Sequence, residues 1–242
     1  MFTPQGPTLR ELAVQALSSV ERGYDLLAPK FDHTPFRTPD AVLDPVARAL
    51  DGLGPFRTGL DLCCGTGAGI RVLRRAGVER VVGVDFSAGM LDVARRAEPR
   101  ASYVRGDALA LPFGPAFDLV VSFGAFGHFL PRQYGPLFAR VRQVLCPGGR
   151  FAFPLPAPAR PASPGYWAML GFDAAMRVRN AVWRPPFVMY YRPFRLGDVR
   201  RELTRAGFDV ALRALPELGT RADGAPRCAL VVATARRPVT SQ

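Results

Sequence analysis

Three carboxylates and a cluster of glycines carry the chemistry that can be read from this chain. Asp61 sits in the run Gly59-Leu60-Asp61-Leu62-Cys63-Cys64-Gly65-Thr66-Gly67-Ala68-Gly69. Asp85 ends Val81-Val82-Gly83-Val84-Asp85, 20 residues after Gly65. Asp107 follows Tyr103-Val104-Arg105-Gly106. Glycines let a backbone turn through positive φ and let a ligand approach without meeting a Cβ. A carboxylate has two acceptor oxygens and suits a pair of hydroxyls. About 20 residues after a glycine turn is where a doubly wound fold sets a carboxylate against a ribose. The only histidines are His33 and His128. A histidine can serve as a base or orient a substrate near neutral pH.

These residues need strands and helices to position them. Thr58 to Leu62 is strand-like, and the glycine turn leads into a helical pattern of Ile70, Val72, Leu73 and Ala76 with Arg71, Arg74 and Arg75 interleaved. A helix leaving that turn aims its free amides back at it. Further strand-like runs are Val81–Phe86, Tyr103–Ala108, Phe117–Ser122 and Arg150–Phe153. Ser87 can cap the helix after Asp85. The spacing predicts a helix over 131–146, ended by Cys146-Pro147-Gly148-Gly149. Such alternation predicts a parallel sheet with right-handed crossovers. Near the end, a helix containing Val199, Leu203 and Ala206 stops at Gly207, followed by strand-like Phe208–Leu215 and Cys228–Ala235. Residues 238–242 read as a frayed tail.

The ordered set GLDLCCGTGAG, VVGVDFS, GDALALPF, FDLVVSFGAFGH and LCPGGRFAF resembles class I S-adenosylmethionine-dependent methyltransferases. The nearest pattern is that of small-molecule enzymes of the quinone-biosynthesis type. The resemblance covers residues 55–155 well and the C-terminal part loosely. It implies an α/β, Rossmann-like sheet of seven mostly parallel strands with helices on both faces and an antiparallel last strand. It implies S-adenosyl-L-methionine as methyl donor. Carried onto matching positions, Asp61 holds the donor's ammonium group, Asp85 its ribose, and Asp107 with the amide of Ala108 its adenine. Cys63, Gly65, Thr66, Gly67 and Phe86 complete the expected donor-binding set. Asp118, which begins the fourth strand, is expected to be structural.

Four segments follow from this reading. Residues 1–55 form an N-terminal helical cap, 56–155 the donor-binding core, 156–194 a lid that binds the acceptor, and 195–242 the last helix and two strands. In the cap, Thr8 and Glu11 have capping-box spacing. Leu9, Leu12, Ala13, Ala16, Leu17 and Val20 then fall on one helical face. A second helix starts at Thr38-Pro39, and Pro45 kinks or restarts it. Gly23-Tyr24-Asp25-Leu26-Leu27-Ala28-Pro29-Lys30-Phe31-Asp32 resembles the Tyr-Asp-x-x-Ala-x-x-Tyr-Asp stretch of many small-molecule methyltransferases, with Phe31 in place of the second Tyr. Tyr24 and Phe31 either touch the acceptor or pack the cap on the core. Residues 156–194 are rich in Pro, aromatic residues and Met, a composition suited to an adaptable binding surface. Trp167 and Tyr190 are its candidate acceptor contacts, and Arg177, Arg179, Arg184 and Arg192 suit an anionic group. His128 matches a His often seen after the fourth strand in the quinone-type enzymes, where it is the candidate catalytic residue or a locally bonded loop residue.

Composition narrows the classes. The 242 residues are 48% hydrophobic and 21% charged, which is globular. No apolar run approaches the ~18 residues of a membrane span. The first residues lack a basic region followed by an apolar one, so no signal peptide is expected and the expected location is cytoplasmic. Cys63, Cys64, Cys146 and Cys228 form no CxxC pair and read as small core residues, with no metal expected. The net charge of +12 admits nucleic acid or an acidic substrate as partner. However, the arginines are scattered, and Lys30 is the only lysine. After the fourth strand, Ser122-Phe123-Gly124-Ala125 lacks the Asp/Asn-Pro-Pro-Tyr motif of enzymes acting on exocyclic amines of bases. No Pro-Cys nucleophile for 5-methylcytosine chemistry is present, and Ile70 breaks a dehydrogenase-type GxGxxG. The reading is methyl transfer to a small, partly aromatic or apolar acceptor. The alternatives are an RNA or protein methyltransferase and a non-catalytic donor-binding partner protein.

Overall fold

The computed structural model describes residues 5–34, 36–157 and 196–237, and isolated positions between 158 and 195 that include 166 and 167. Most of the expected lid, residues 156–194, including Tyr190 and its four arginines, lies outside the described residues. Seven strands form one sheet: β1 Thr58–Leu62, β2 Arg80–Asp85, β3 Ser102–Arg105, β4 Phe117–Val121, β5 Leu145–Pro156, β6 Phe208–Ala214 and β7 Cys228–Ala235. Their order is β3-β2-β1-β4-β5-β7-β6. The pairs among β1 to β5 are parallel, and β7 runs antiparallel to both neighbours. This is the Rossmann-like sheet expected from the sequence. The order reverses between β1 and β4, and ligands bind such sheets beyond the strand carboxyl ends at that switch point.

Residues alternate between two buried faces, as a period-2 strand requires. Leu60, Leu62, Val120, Phe151, Phe153, Val231 and Ala233 face one layer. That layer is completed by α6 (Pro131–Val144) and α7 (Leu196–Arg205). Leu119, Val121, Ala152, Leu230 and Val232 face the other, with α3 (Asp40–Asp51), α4 (Ala68–Arg75) and α5 (Ala88–Ala97). Asp118 ties the amino-terminal ends of β4 and β1 together. Its Oδ2 accepts from the amides of Arg57 and Thr58 and from Thr58 Oγ1, each at 3.0 Å.

Three local features depart from the sequence expectations. The apolar stripe from Leu9 to Val20 spans two helices, α1 (Leu9–Ala16) and α2 (Val20–Leu27). Ser19 starts the second by accepting from the amide of Arg22 at 3.2 Å, and Leu17 is left 62% exposed between them. Pro45 does not restart α3, which is continuous from Asp40 to Asp51. Cys146-Pro147-Gly148-Gly149 does not follow a helix end at 146. The helix stops at Val144 and β5 begins at once, with these four residues as a bulge between the pairs Phe117–Leu145 and Leu119–Arg150. Gly148 is at φ +80°, and a Cβ on Gly149 would lie 3.0 Å from the carbonyl of Phe117, so glycine is what lets the bulge close on β4.

Candidate active site

Asp61 reaches the carboxyl end of β1, and the chain then turns through Cys63 at φ 56° and Gly65 at φ 50°. Cys63 is the non-glycine residue that takes left-handed backbone among the described residues, at a cost of roughly 1–2 kcal/mol. Gly67, at φ 95°, caps α4. The start of α4 lies directly under Asp61: a Cβ on Gly69 would sit 2.3 Å from Asp61 Oδ1. That glycine is therefore required by a close approach of side chain to helix.

Asp61 is 1% exposed, and neither of its oxygens has a hydrogen-bond partner. Burial pushes its carboxyl up to about 8, against the pull of the Ile70 amide and with the push of Asp85. Asp85 is better served. Its Oδ2 accepts from the Gly65 amide and its Oδ1 from the Ser87 amide, both at 2.9 Å. Burial still raises its pKa, with the amides of Ser87, Gly65 and Phe86 opposing. Each oxygen keeps a lone pair for a further donor. Ser87 caps α5 through the amide of Met90. Asp107 is exposed and accepts from the Leu109 amide at 2.9 Å, starting a 3-10 turn at the buried Ala108.

The N-terminal helices close over this edge. Asp25 of α2 accepts from Ser87 Oγ at 2.5 Å and from the Gly89 amide at 2.9 Å. Asp32 accepts from Thr66 Oγ1 at 2.7 Å. Tyr24 packs edge-on to Phe86, with ring centroids 6.0 Å apart, and its hydroxyl lies 2.8 Å from His128 Nε2. His128 ends a 3-10 turn, Ala125–His128, entered through Gly124 at φ 72°. Burial lowers its pKa to about 4, so the ring is neutral near pH 7.

These elements enclose a cavity of about 890 Å³, near the top of the ~300–1,000 Å³ usual for small-molecule clefts. Asp61, Cys63, Gly65, Thr66, Asp85 and Phe86 line it. Asp107, Ala108, His128, Tyr24 and Phe31 line it as well. Gly67 does not; a Cβ there would point at Ala94, so its place is in helix packing. Trp167 is also outside the lining, 62% exposed and edge-on to Tyr166. Asp25, Asp32 and Arg37 carry no individual role in the sequence expectations, and Gly69 enters them only as one of three turn glycines. Asp25 lies in α2 and Asp32 in the 3-10 turn Ala28–His33 that follows it. Arg37 lines the cavity and pairs with Asp40 at 2.8 Å.

Among the described residues, three buried side-chain nitrogen or oxygen atoms lack a hydrogen-bond partner: both oxygens of Asp61 and Nδ1 of His128. Both residues line this one cavity. Buried polar groups left unpaired cost about 1–3 kcal/mol each and call for an explanation.

Residues 60–149 match the methyltransferase-domain family. Over 133 residues the chain is 36% identical to an uncharacterised methyltransferase from Synechocystis, covering 54% of this chain and 61% of that one. It is 41% identical over 103 residues to a 2-phytyl-1,4-naphtoquinone methyltransferase from Thermosynechococcus vestitus, covering 39% and 44%. The chain thus spans about half the length of these relatives. An S-adenosylmethionine-dependent methyltransferase structure from Mesorhizobium loti aligns with TM-score 0.55 and 27% identity, over 79% of this chain and 99% of that one.

Residues 60–149 thus match a methyltransferase domain, and the fold is similar to that of a solved S-adenosylmethionine-dependent methyltransferase. The core of this chain is similar to that of the quinone methyltransferases. The cavity suits the donor: a buried carboxylate without a partner fits a cationic ammonium, and Asp85 has acceptor capacity left for a diol.

Proposed function

We propose that this protein transfers a methyl group from S-adenosylmethionine to a small, partly aromatic or apolar acceptor. The observation that carries the reading is the convergence of every unpartnered buried polar atom among the described residues on one glycine-floored cavity. Asp61 would take the donor's ammonium, Asp85 its ribose hydroxyls, and the Asp107–Ala108 turn its adenine. The donor, when bound, supplies an already activated methyl group. The protein's part is then to align the acceptor and exclude water.

Tyr24, Phe31, Phe36, Phe123 and Phe129 give the cavity an aromatic wall that suits a flat or apolar acceptor. Residues 1–55 serve as a cap, held down by Asp25 and Asp32, and residues 156–194 are proposed as the acceptor lid. The similarity to a naphtoquinone methyltransferase supports a small-molecule acceptor over RNA or protein. The test is a radiolabelled methyl-transfer assay across aromatic acceptors and bulk RNA. Methylation confined to RNA would overturn the reading.

A further inference from the structure

We propose that Arg37 and Gln133 hold a carboxylate of the methyl acceptor, which is then an aromatic acid. The proposal rests on the methyl-transfer reading above and names the class of acceptor. The strand order β3-β2-β1-β4 lays the cavity out from one end to the other. Asp107 follows β3, Asp85 ends β2 and Asp61 lies in β1, so the donor's adenine, ribose and ammonium belong on that side. Phe123, Gly124, Ala125, His128, Phe129 and Gln133 follow β4 and line the remaining wall. The segment before α3 closes on this end. A Cβ on Gly124 would lie 3.7 Å from Thr38 Oγ1, and Phe36, Arg37 and Thr38 all line the cavity.

Arg37 is the one lysine or arginine among the described lining residues. Of the lining carboxylates, Asp61, Asp85 and Asp107 belong to the donor side, and Glu21 pairs with Arg105. Arg37 Nη2 donates to Asp40 Oδ2 at 2.8 Å, but Asp40 is shared: Arg71 Nη2 stands 4.0 Å from its Oδ1. Two guanidiniums on one carboxylate leave a net positive charge. Among the described residues the remaining N–H donors of Arg37 have no acceptor. Gln133 adds a second donor. Its Oε1 accepts from the Leu130 amide at 2.8 Å. That amide can only donate, so the oxygen is the atom that faces it, and the NH2 of Gln133 is left as a donor without an acceptor among the described residues. These two groups stand with an aromatic wall of Phe36, Phe123 and Phe129, which suits a flat ring. A guanidinium matches both oxygens of a carboxylate as a fork, whereas a neutral acceptor gives Arg37 no counter-charge. The donor's own carboxylate has a place elsewhere, because α4 starts under Asp61 and its first-turn amides lack partners within the helix.

The experiment uses the full chain saturated with S-adenosylhomocysteine. Calorimetry reads the binding of 4-hydroxybenzoate and 1-hydroxy-2-naphthoate against their carboxamides, for the wild type, Arg37→Gln, Arg37→Lys and Gln133→Glu. The Arg37–Asp40 pair lies at the surface and adds little to the fold. Gln133→Glu keeps an oxygen for the Leu130 amide and replaces the donor by a negative charge. The expected result is that the wild-type complex binds at least one of the acids roughly tenfold or more tighter than its carboxamide. Arg37→Gln and Gln133→Glu should bring each pair within about threefold, and Arg37→Lys, which keeps the charge but not the fork, should retain part of the preference. S-adenosylhomocysteine affinity should stay within about threefold in all variants, because no donor contact changes. A purely structural role for Arg37 would weaken acid and carboxamide together and leave their ratio unchanged. Neither acid bound more tightly than its carboxamide by the wild-type complex, or a preference that survives Arg37→Gln or Gln133→Glu, overturns the proposal and spares the donor reading. So does a large loss of S-adenosylhomocysteine affinity in Arg37→Gln, which would assign Arg37 to the donor's carboxylate. Failure of the folded wild type to bind S-adenosylhomocysteine overturns both.

Discussion

Asp61→Asn separates what the donor site needs from what the fold needs. Burial moves the Asp61 carboxyl from its ordinary 3.8 to about 8. The native state therefore holds a proton that the unfolded chain releases, and stability falls as pH rises across that interval. One pKa unit is about 1.4 kcal/mol, so the full interval corresponds to about 6 kcal/mol, and the part reached by pH 7 to about 4 kcal/mol. Asparagine does not titrate, so the difference between variant and wild type should be smallest near pH 4 and grow towards pH 8, where the variant gains. Asp85 is also raised by burial and contributes a slope of the same sign to both proteins. Denaturant unfolding at pH 5 and pH 8 measures the effect. Saturating S-adenosylhomocysteine should flatten the wild-type dependence, since its ammonium favours the ionised carboxylate, and should do little for the variant. Equal pH slopes for the two ligand-free proteins between pH 5 and 8 would refute the reasoning.

Gly69→Ala places a Cβ 2.3 Å from Asp61 Oδ1 and should both cost about 1–3 kcal/mol of stability and weaken S-adenosylhomocysteine binding, read by unfolding and calorimetry. Asp25→Ala removes the acceptor of Ser87 Oγ and the Gly89 amide. It should expose residues 1–39 to limited proteolysis while the core stays resistant. Asp118→Ala removes three hydrogen bonds at the far end of β1 and β4. It should cost about 2–4 kcal/mol of stability with S-adenosylhomocysteine affinity within about twofold, because it is remote from the cavity.

The site was legible where chemistry and local geometry coincide. β1, its glycine turn and α4 are consecutive in the chain, and Asp85 lies at an interval that the fold dictates, so spacing alone brought them together. The sheet followed from the same alternation of strand and helix. What escaped were contacts between remote segments. Nothing local says that Asp25 caps α5 or that Asp32 meets Thr66, since those bonds exist only once α2 has docked. The glycines show the same limit: three stood equally at the turn, but only the fold separates Gly69, which makes room for Asp61, from Gly67, which packs on Ala94. The bulge in β5 was missed because Pro147, Gly148 and Gly149 are also what stops a helix. The break between α1 and α2 was missed because the apolar spacing runs on across Ser18 and Ser19.

Calorimetric titration of S-adenosylhomocysteine into the wild type and Asp85→Ala tests the central claim most directly. The account predicts one-to-one binding in the micromolar range or tighter, weakened by about 1–3 kcal/mol in the variant, with proton release at pH 7 as Asp61 ionises. No heat of binding from the folded wild-type protein would contradict it.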